Sequence, residues 1–137
     1  MNISTKGRYG LRAMLDLARH SHGRPVTLSA IAARQQISEG YLEQLMSPLK
    51  KAGLVKSIRG AQGGYTLARP PREIVTGDIF RALEGPLALT ACISEADDKA
   101  CHMQESCGSR FIWEEIQKAV SGVLAAYTLA DLLDKER

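Results

Sequence analysis

Apolar residues in the first part of the chain recur at three- and four-residue steps, and the rhythm changes to alternation twice before residue 70. Leu11, Met14, Leu15 and Ala18 predict a helix over residues 5–21, capped by Ser4 or Thr5. Residues 22–26, with Gly23 and Pro25, read as a loop. Thr27 is placed to cap a short helix running to about Arg34, with Leu28, Ile31 and Ala32 inward. After the tight turn at 35–37, Ser38 caps a third helix that reaches about Ala52 and stops at Gly53. Its buried stripe is Leu42, Leu45, Met46 and Leu49. Ile37 before the cap and Leu42 after it match a hydrophobic staple, which sets the angle at which the chain enters the helix.

Residues 54–58 (Leu-Val-Lys-Ser-Ile) and 65–68 (Tyr-Thr-Leu-Ala) alternate as two strands around the glycines at 60, 63 and 64, and Pro70 and Pro71 punctuate the exit. Beyond them, Thr76 is expected to cap a helix over about 77–84, ended by Gly85-Pro86. Residues 86–108 hold few periodic apolar positions. A long helix over about 109–126 follows, with Ile112, Ile116, Val120, Val123 and Tyr127 on one face, and Thr128 with Asp131 opens a last short helix. No internal repeat or low-complexity tract is visible.

Two helices joined by so short a turn form a helix-turn-helix, and a β-hairpin directly after it is a wing. The expected fold is therefore mainly α with a small β-hairpin: a winged helix-turn-helix over residues 1–72, then a second part over 73–137. Charge changes the picture next. The net +3 divides unevenly: residues 1–72 carry 12 Lys/Arg against 3 Asp/Glu, a net +9, and residues 73–137 carry 6 against 12, a net −6. A segment at +9 attracts a polyanion, and with this fold the polyanion expected is double-stranded DNA.

In a helix-turn-helix the second helix enters the major groove N-terminus first. That end offers Ser38, Glu39, Tyr41, Glu43, Gln44 and Ser47. Gln can pair bidentately with adenine, and Glu can accept from the cytosine amino group. Glu39, in the first turn, also serves simply to stabilise the helix N-terminus. Lys50, Lys51, Arg34, Lys6, Arg8 and Arg12 suit phosphates. At the wing tip, Arg59 suits a narrow minor groove, and Gly60, Gln62 and Gly63 lie where backbone amides can approach phosphates.

Cys92, Cys101 and Cys107 fall in one segment, spaced x8 and x5. An odd number of cysteines without a signal peptide argues against a disulfide framework. Thiolates are soft ligands, so an iron–sulfur cluster is the leading expectation. Zinc bound with His102, a thiol switch and unrelated free thiols remain open beside it. The composition, 45% hydrophobic and 24% charged, is that of a globular protein. No stretch approaches the roughly 20 apolar residues of a membrane span, and the N-terminus lacks a signal-peptide core, so a cytoplasmic location without membrane association is expected. No paired carboxylates, nucleophile–base arrangement or phosphate loop points to an enzyme; Arg59–Gly64 lacks the Gly-Lys-Ser/Thr of a Walker loop.

Several stretches together resemble a known family. They are residues 4–9 (Ser-Thr-Lys-Gly-Arg-Tyr), 37–45 (Ile-Ser-Glu-Gly-Tyr-Leu-Glu-Gln-Leu), 55–60 (Val-Lys-Ser-Ile-Arg-Gly), 63–67 (Gly-Gly-Tyr-Thr-Leu), the three cysteines, and 128–132 (Thr-Leu-Ala-Asp-Leu). The chain is similar, over essentially its whole length, to the IscR-type iron–sulfur cluster transcription regulators. That resemblance implies a homodimer held by the helix near 109–126, a 2Fe–2S or 4Fe–4S cluster on Cys92, Cys101 and Cys107, and control of operator binding by that cluster. Members that bind a 2Fe–2S cluster often carry a histidine three residues after the last cysteine; Arg110 stands there, and the first cysteine gap is longer. His102, Glu105, a residue of the other subunit or an external small molecule remain as fourth ligand. The alternative is a winged-helix repressor without a cluster, controlled by thiol oxidation or by a partner protein, as in a regulator of cysteine metabolism.

Overall fold

The computed structural model describes residues 2–95, 101 and 103–136. Three helices open it: α1 (Thr5–His20), α2 (Leu28–Gln35) and α3 (Glu39–Lys51). Each begins at the hydroxyl residue its sequence offers. Ser4 Oγ accepts from the Gly7 amide at 3.0 Å, Thr27 Oγ1 from Ala30 at 3.2 Å, and Ser38 Oγ from Tyr41 at 3.1 Å. Between α2 and α3 the chain reverses at Gln36, a non-glycine residue in the left-handed region at φ 54°. Ile37 and Leu42 are both buried, as a staple requires. Pro48 lies inside α3, where it deprives one turn of its N–H; the helix persists because buried Leu45, Met46 and Leu49 surround it.

Strands β1 (Val55–Ile58) and β2 (Gly64–Leu67) pair antiparallel, with Val55 opposite Leu67 and Ile58 opposite Gly64. Val26 and Tyr65 exchange both backbone hydrogen bonds at 2.8 Å, tying the hairpin to the loop before α2. A Cβ on Gly64 would lie 2.4 Å from the Val26 carbonyl oxygen, so only glycine admits this approach.

Helix α4 (Thr76–Glu84) packs on α1 and α3, α5 (Gly108–Ala126) on α4, and α6 (Leu129–Leu133) on α1. Thr76 is not the cap of α4. Val75 holds that position, and the buried Thr76 hydroxyl instead donates to the Leu124 carbonyl of α5 at 2.8 Å. A tertiary acceptor has displaced the local one. The capping box of α6 forms as its sequence suggests, with the Thr128 hydroxyl accepting from the Asp131 amide and the Asp131 carboxylate from the Thr128 amide.

One core runs through all of this. Met14, Leu17, Ile31 and Leu45 share a cluster with Ile74, Ile79, Leu83 and Leu129, so residue 72 does not divide the hydrophobic interior. On α1 the buried face is Gly7, Gly10, Ala13, Met14 and Leu17, with one acid, Asp16; Leu11, Leu15 and Ala18 are only half-buried. No residue of α5 is buried. Among the described residues no helix is long and apolar enough to cross a membrane.

Candidate nucleic-acid interface and cysteine segment

The amphipathic sequence of α3 sets its orientation. Leu42, Leu45, Met46 and Leu49 are fully buried, which turns Ser38, Glu39, Glu43, Gln44 and Ser47 outward together. Tyr41 is half-buried behind this face, and its ring meets Tyr9 of α1 edge-on, with centroids 6.0 Å apart. At the far end Lys50 and Lys51 are exposed; Lys50 Nζ donates to Ser57 Oγ at 2.7 Å, so this lysine also ties α3 to β1. Glu43 lies one turn beyond the helix N-terminus and faces out. Glu43→Ala is expected to reorder the duplexes that the protein selects from a random-sequence library; an unchanged ranking would show that Glu43 reads no base.

Arg8 and Arg12 flank α3 from α1, with guanidinium carbons 5.7 and 5.1 Å from the centre of the Tyr9 ring. Lys6 is exposed on the same helix. Arg34 is placed differently from these. Its Nε and Nη2 donate to the Asp16 carboxylate at 2.9 and 2.8 Å, and Gln35 Nε2 donates to the same group at 3.0 Å. Burial pushes the Asp16 carboxyl upward, but the hydrogen bonds from Arg34 and Gln35 outweigh it and hold the group below the usual carboxylate range. Asp16, Gln35 and Tyr9 were not candidates on sequence. The available signal was Asp16 itself, an acid on the inward face of a helix in a strongly basic segment.

The wing tip turns where the Gly63 amide donates to the Gly60 carbonyl at 3.0 Å. Arg59, Gly60 and Gln62 are exposed and Gly63 half-buried. A Cβ on Gly63 would lie 2.2 Å from the Ile58 carbonyl oxygen, so this tight tip needs glycine there. The wing and the outward face of α3 thus present backbone amides, one arginine and hydrogen-bonding side chains, the groups that contact phosphates and base edges.

Cys92 sits in a 3₁₀ turn (Ala91–Ile93), half-buried, with Sγ 3.0 Å from Thr90 Oγ1. Cys101 is exposed. Cys107 occupies the N-cap of α5 with Sγ 3.0 Å from Ser109 Oγ; hydrogen bonds from Ser109 and from the Arg110 amide lower its thiol pKa. The stretch leading to Cys92 and beyond is clasped on two sides. Arg81 of α4 holds Glu95 through two hydrogen bonds of 3.0 and 2.8 Å, and this with the Leu87 amide brings Glu95 down to about 2. Gln117 of α5 accepts from the Leu89 amide and donates to the Ile93 carbonyl. A cavity of about 440 Å³ lies beside Cys92, lined also by Arg110, Glu114 and Ser121.

Three thiols suit an iron–sulfur cluster in the chemistry of the donor set. Their placement does not yet join them: among the described residues no three His, Cys, Asp or Glu side chains gather as a metal site. Arg110 is engaged with Glu114 at 2.7 Å and is no ligand, Glu105 is exposed, and His102 lies outside the described residues.

Residues 3–135 match the Rrf2 family, described as iron-dependent transcriptional regulators. The chain belongs to the Rrf2 family. Among curated Rrf2-like relatives, the HTH-type transcriptional regulator CymR of Bacillus subtilis (strain 168) is 48% identical over 132 residues, covering 96% of this chain and 89% of that protein. A solved structure of CymR, described as the global cysteine regulator of B. subtilis, superposes with a TM-score of 0.83 at 45% identity, covering 100% of this chain and 99% of that one. IscR of T. potens superposes with a TM-score of 0.80 at 48% identity, covering 98% and 88%. As a member of the Rrf2 family, the chain is a DNA-binding transcriptional regulator of the winged-helix fold, and the similarity to IscR-type proteins is real alongside that to CymR.

Proposed function

We propose that the protein is a homodimeric operator-binding regulator in which residues 1–72 contact DNA and residues 73–137 sense and dimerise, with an iron–sulfur cluster on Cys92, Cys101 and Cys107 deciding when DNA is bound. The observation that carries this is the clasped cysteine segment. Three soft donors lie in one stretch that is tied to α4 through Arg81–Glu95 and leads directly into α5 through Cys107. A bound cluster supplies a centre whose oxidation state and presence vary with iron and oxidants. The protein's own residues do the rest. Ser38, Glu39, Tyr41, Glu43, Gln44 and Ser47 address bases, and Lys50, Lys51, Arg8, Arg59 and the wing amides of Gly60, Gln62 and Gly63 address phosphates and groove. The apolar face of α5 pairs two copies, so the preferred site is a palindrome with half-sites about one helical turn apart.

A second reading has its own support. The Cys107 thiol, acidified by hydrogen bonds from Ser109 and the Arg110 amide at the start of α5, supports control by thiol oxidation without a cluster. The likeness to CymR, described as a global cysteine regulator, adds cysteine metabolism as the field of regulation. Anaerobic purification separates the readings. The first expects a coloured protein with bound iron and sulfide, and a Cys92→Ser, Cys101→Ser, Cys107→Ser variant that is colourless and binds DNA as the cluster-free form does. A colourless wild type whose operator affinity changes on mild oxidation establishes the second reading instead. Equal operator affinity with and without the cluster, at fixed salt, would remove the switch and leave a constitutive DNA binder.

A further inference from the structure

We propose that Asp16 is a positioning residue for the DNA-reading helix and that Arg34 is its internal brace rather than a contact to phosphate; the proposal rests on the reading of α3 as the helix that faces DNA. The Asp16 side chain is 1% exposed, on the inward face of α1. A carboxylate so placed must be satisfied from within. Arg34, at the end of α2, meets it with a planar fork: Nε to one oxygen at 2.9 Å and Nη2 to the other at 2.8 Å. Gln35 adds a third donor at 3.0 Å.

The brace continues outward. Gln35 Oε1 accepts from Arg12 Nε at 3.2 Å, and the Gln35 carbonyl accepts from Arg12 Nη2 at 2.6 Å. The Arg12 guanidinium lies over Tyr9, and Tyr9 meets Tyr41 of α3. One buried carboxylate therefore ties α1 to the last turn of α2 and, through Arg12 and Tyr9, to the recognition helix. The tie ends next to Gln36, whose left-handed backbone is unfavourable for a side chain with a Cβ and persists only where its neighbours impose it. From Gln36 the chain turns straight into α3. Holding Arg34 and Gln35 therefore fixes the angle at which α3 is presented.

The two roles for Arg34 predict different chemistry. A phosphate contact needs a positive charge, which lysine supplies; a bidentate brace needs the guanidinium fork, which lysine lacks. The test uses the full-length chain and a duplex about 30 base pairs long, recovered by the wild-type protein from a random-sequence library, with a shuffled duplex of equal composition beside it. Fluorescence anisotropy follows binding between about 50 and 200 mM salt. Arg34→Lys is expected to weaken binding to the selected duplex about tenfold or more, with the salt slope unchanged and the shuffled duplex little affected. Asp16→Asn should behave likewise, and the double variant should be no worse than the weaker single one, since both remove the same tie. Lys51→Ala serves as the phosphate reference, lowering the slope by about 0.9. If Asp16→Asn does not fold, by circular dichroism, Arg34→Lys decides alone, because its side chain is partly exposed. Binding of Arg34→Lys within about twofold of wild type overturns the brace. So does Arg34→Gln lowering the slope by about 0.9 on both duplexes. A wild type that selects no duplex overturns the DNA-facing reading of α3 and the brace with it.

Discussion

Val123→Glu is expected to turn the proposed dimer into a folded monomer and to cost the protein its operator. Val123 is 58% exposed in the single chain, in the C-terminal half of the apolar face that α5 and its C-cap Tyr127 make with Ile112, Ile116 and Val120. The body of the protein touches the other side of the helix, through Gln117 and Leu124. Ile112, Val120, Val123 and Tyr127 are exposed and Ile116 is half-buried in the single chain, and the proposed second copy would cover this apolar stripe. Burying an unpaired carboxylate there costs several kcal/mol. Its repetition on the second copy adds like-charge repulsion. Light scattering should report the 14.9 kDa mass of one chain in place of twice that value. Two winged helices joined in one particle gain avidity of about 10²–10⁴, so affinity for a palindromic duplex should fall about 100-fold or more. The far-UV circular dichroism should hardly change, because α5 is held to its own chain through Gln117 and Leu124, while the melting temperature falls by the stabilisation that association supplies. A variant that remains dimeric with full affinity would place the interface elsewhere.

Gly10→Val is the second large effect, and it acts on stability. An ideal Cβ on Gly10 lies 2.0 Å from Leu83 Cδ1, and one on Gly7 lies 2.6 Å from the Phe80 ring. These two glycines let α1 lie directly against α4. Helix propensity alone favours Val over Gly by a few tenths of a kcal/mol. Overpacking a close helix contact costs about 1–3 kcal/mol, and here the end of the buried Leu83 side chain must leave its place in the core to admit the new side chain. The clash therefore wins. A net loss of about 2 kcal/mol corresponds to a melting temperature lower by about 6–8 °C for a domain of this size. Calorimetry or circular dichroism measures it. Adding Leu83→Ala should give a double variant more stable than the sum of the single changes, because the substitutions share one space. A melting temperature that is unchanged or raised would mean that α1 and α4 are not held this closely.

Much of the fold was legible because its signals are local. Ser4, Thr27 and Ser38 each cap the helix that follows within three residues, and Thr128 with Asp131 closes a box over the same distance. The buried stripe of α3 was legible for the same reason, and with it the outward face of Glu39, Glu43, Gln44 and Ser47. Thr76 was the exception among the caps. Nothing in its neighbourhood announced that the Leu124 carbonyl, 48 residues away, would take its hydroxyl. The glycines of α1 gave no apolar signal, so the periodicity pointed to Leu11 and Leu15 where the closest packing runs through Gly7 and Gly10.

In the candidate sites the division is the same. Composition counted Arg34 in the basic half as suited to phosphates, and only the approach of α2 to α1 showed its Nε and Nη2 engaged with Asp16. The cysteines were visible in number and kind; the Arg81–Glu95 clasp and the seating of Cys107 at the start of α5 were not.

Residue order was enough for the helix-turn-helix and its wing, the cluster of thiols, and the charge that draws DNA, because spacing within a turn or a strand decides all of these. The tertiary structure alone decided which charges are engaged within the chain, which glycines admit a neighbouring helix, and that most of the apolar face of α5 stays exposed in the single chain. Those depend on contacts between segments far apart in the chain, where a buried group must find its partner in three dimensions.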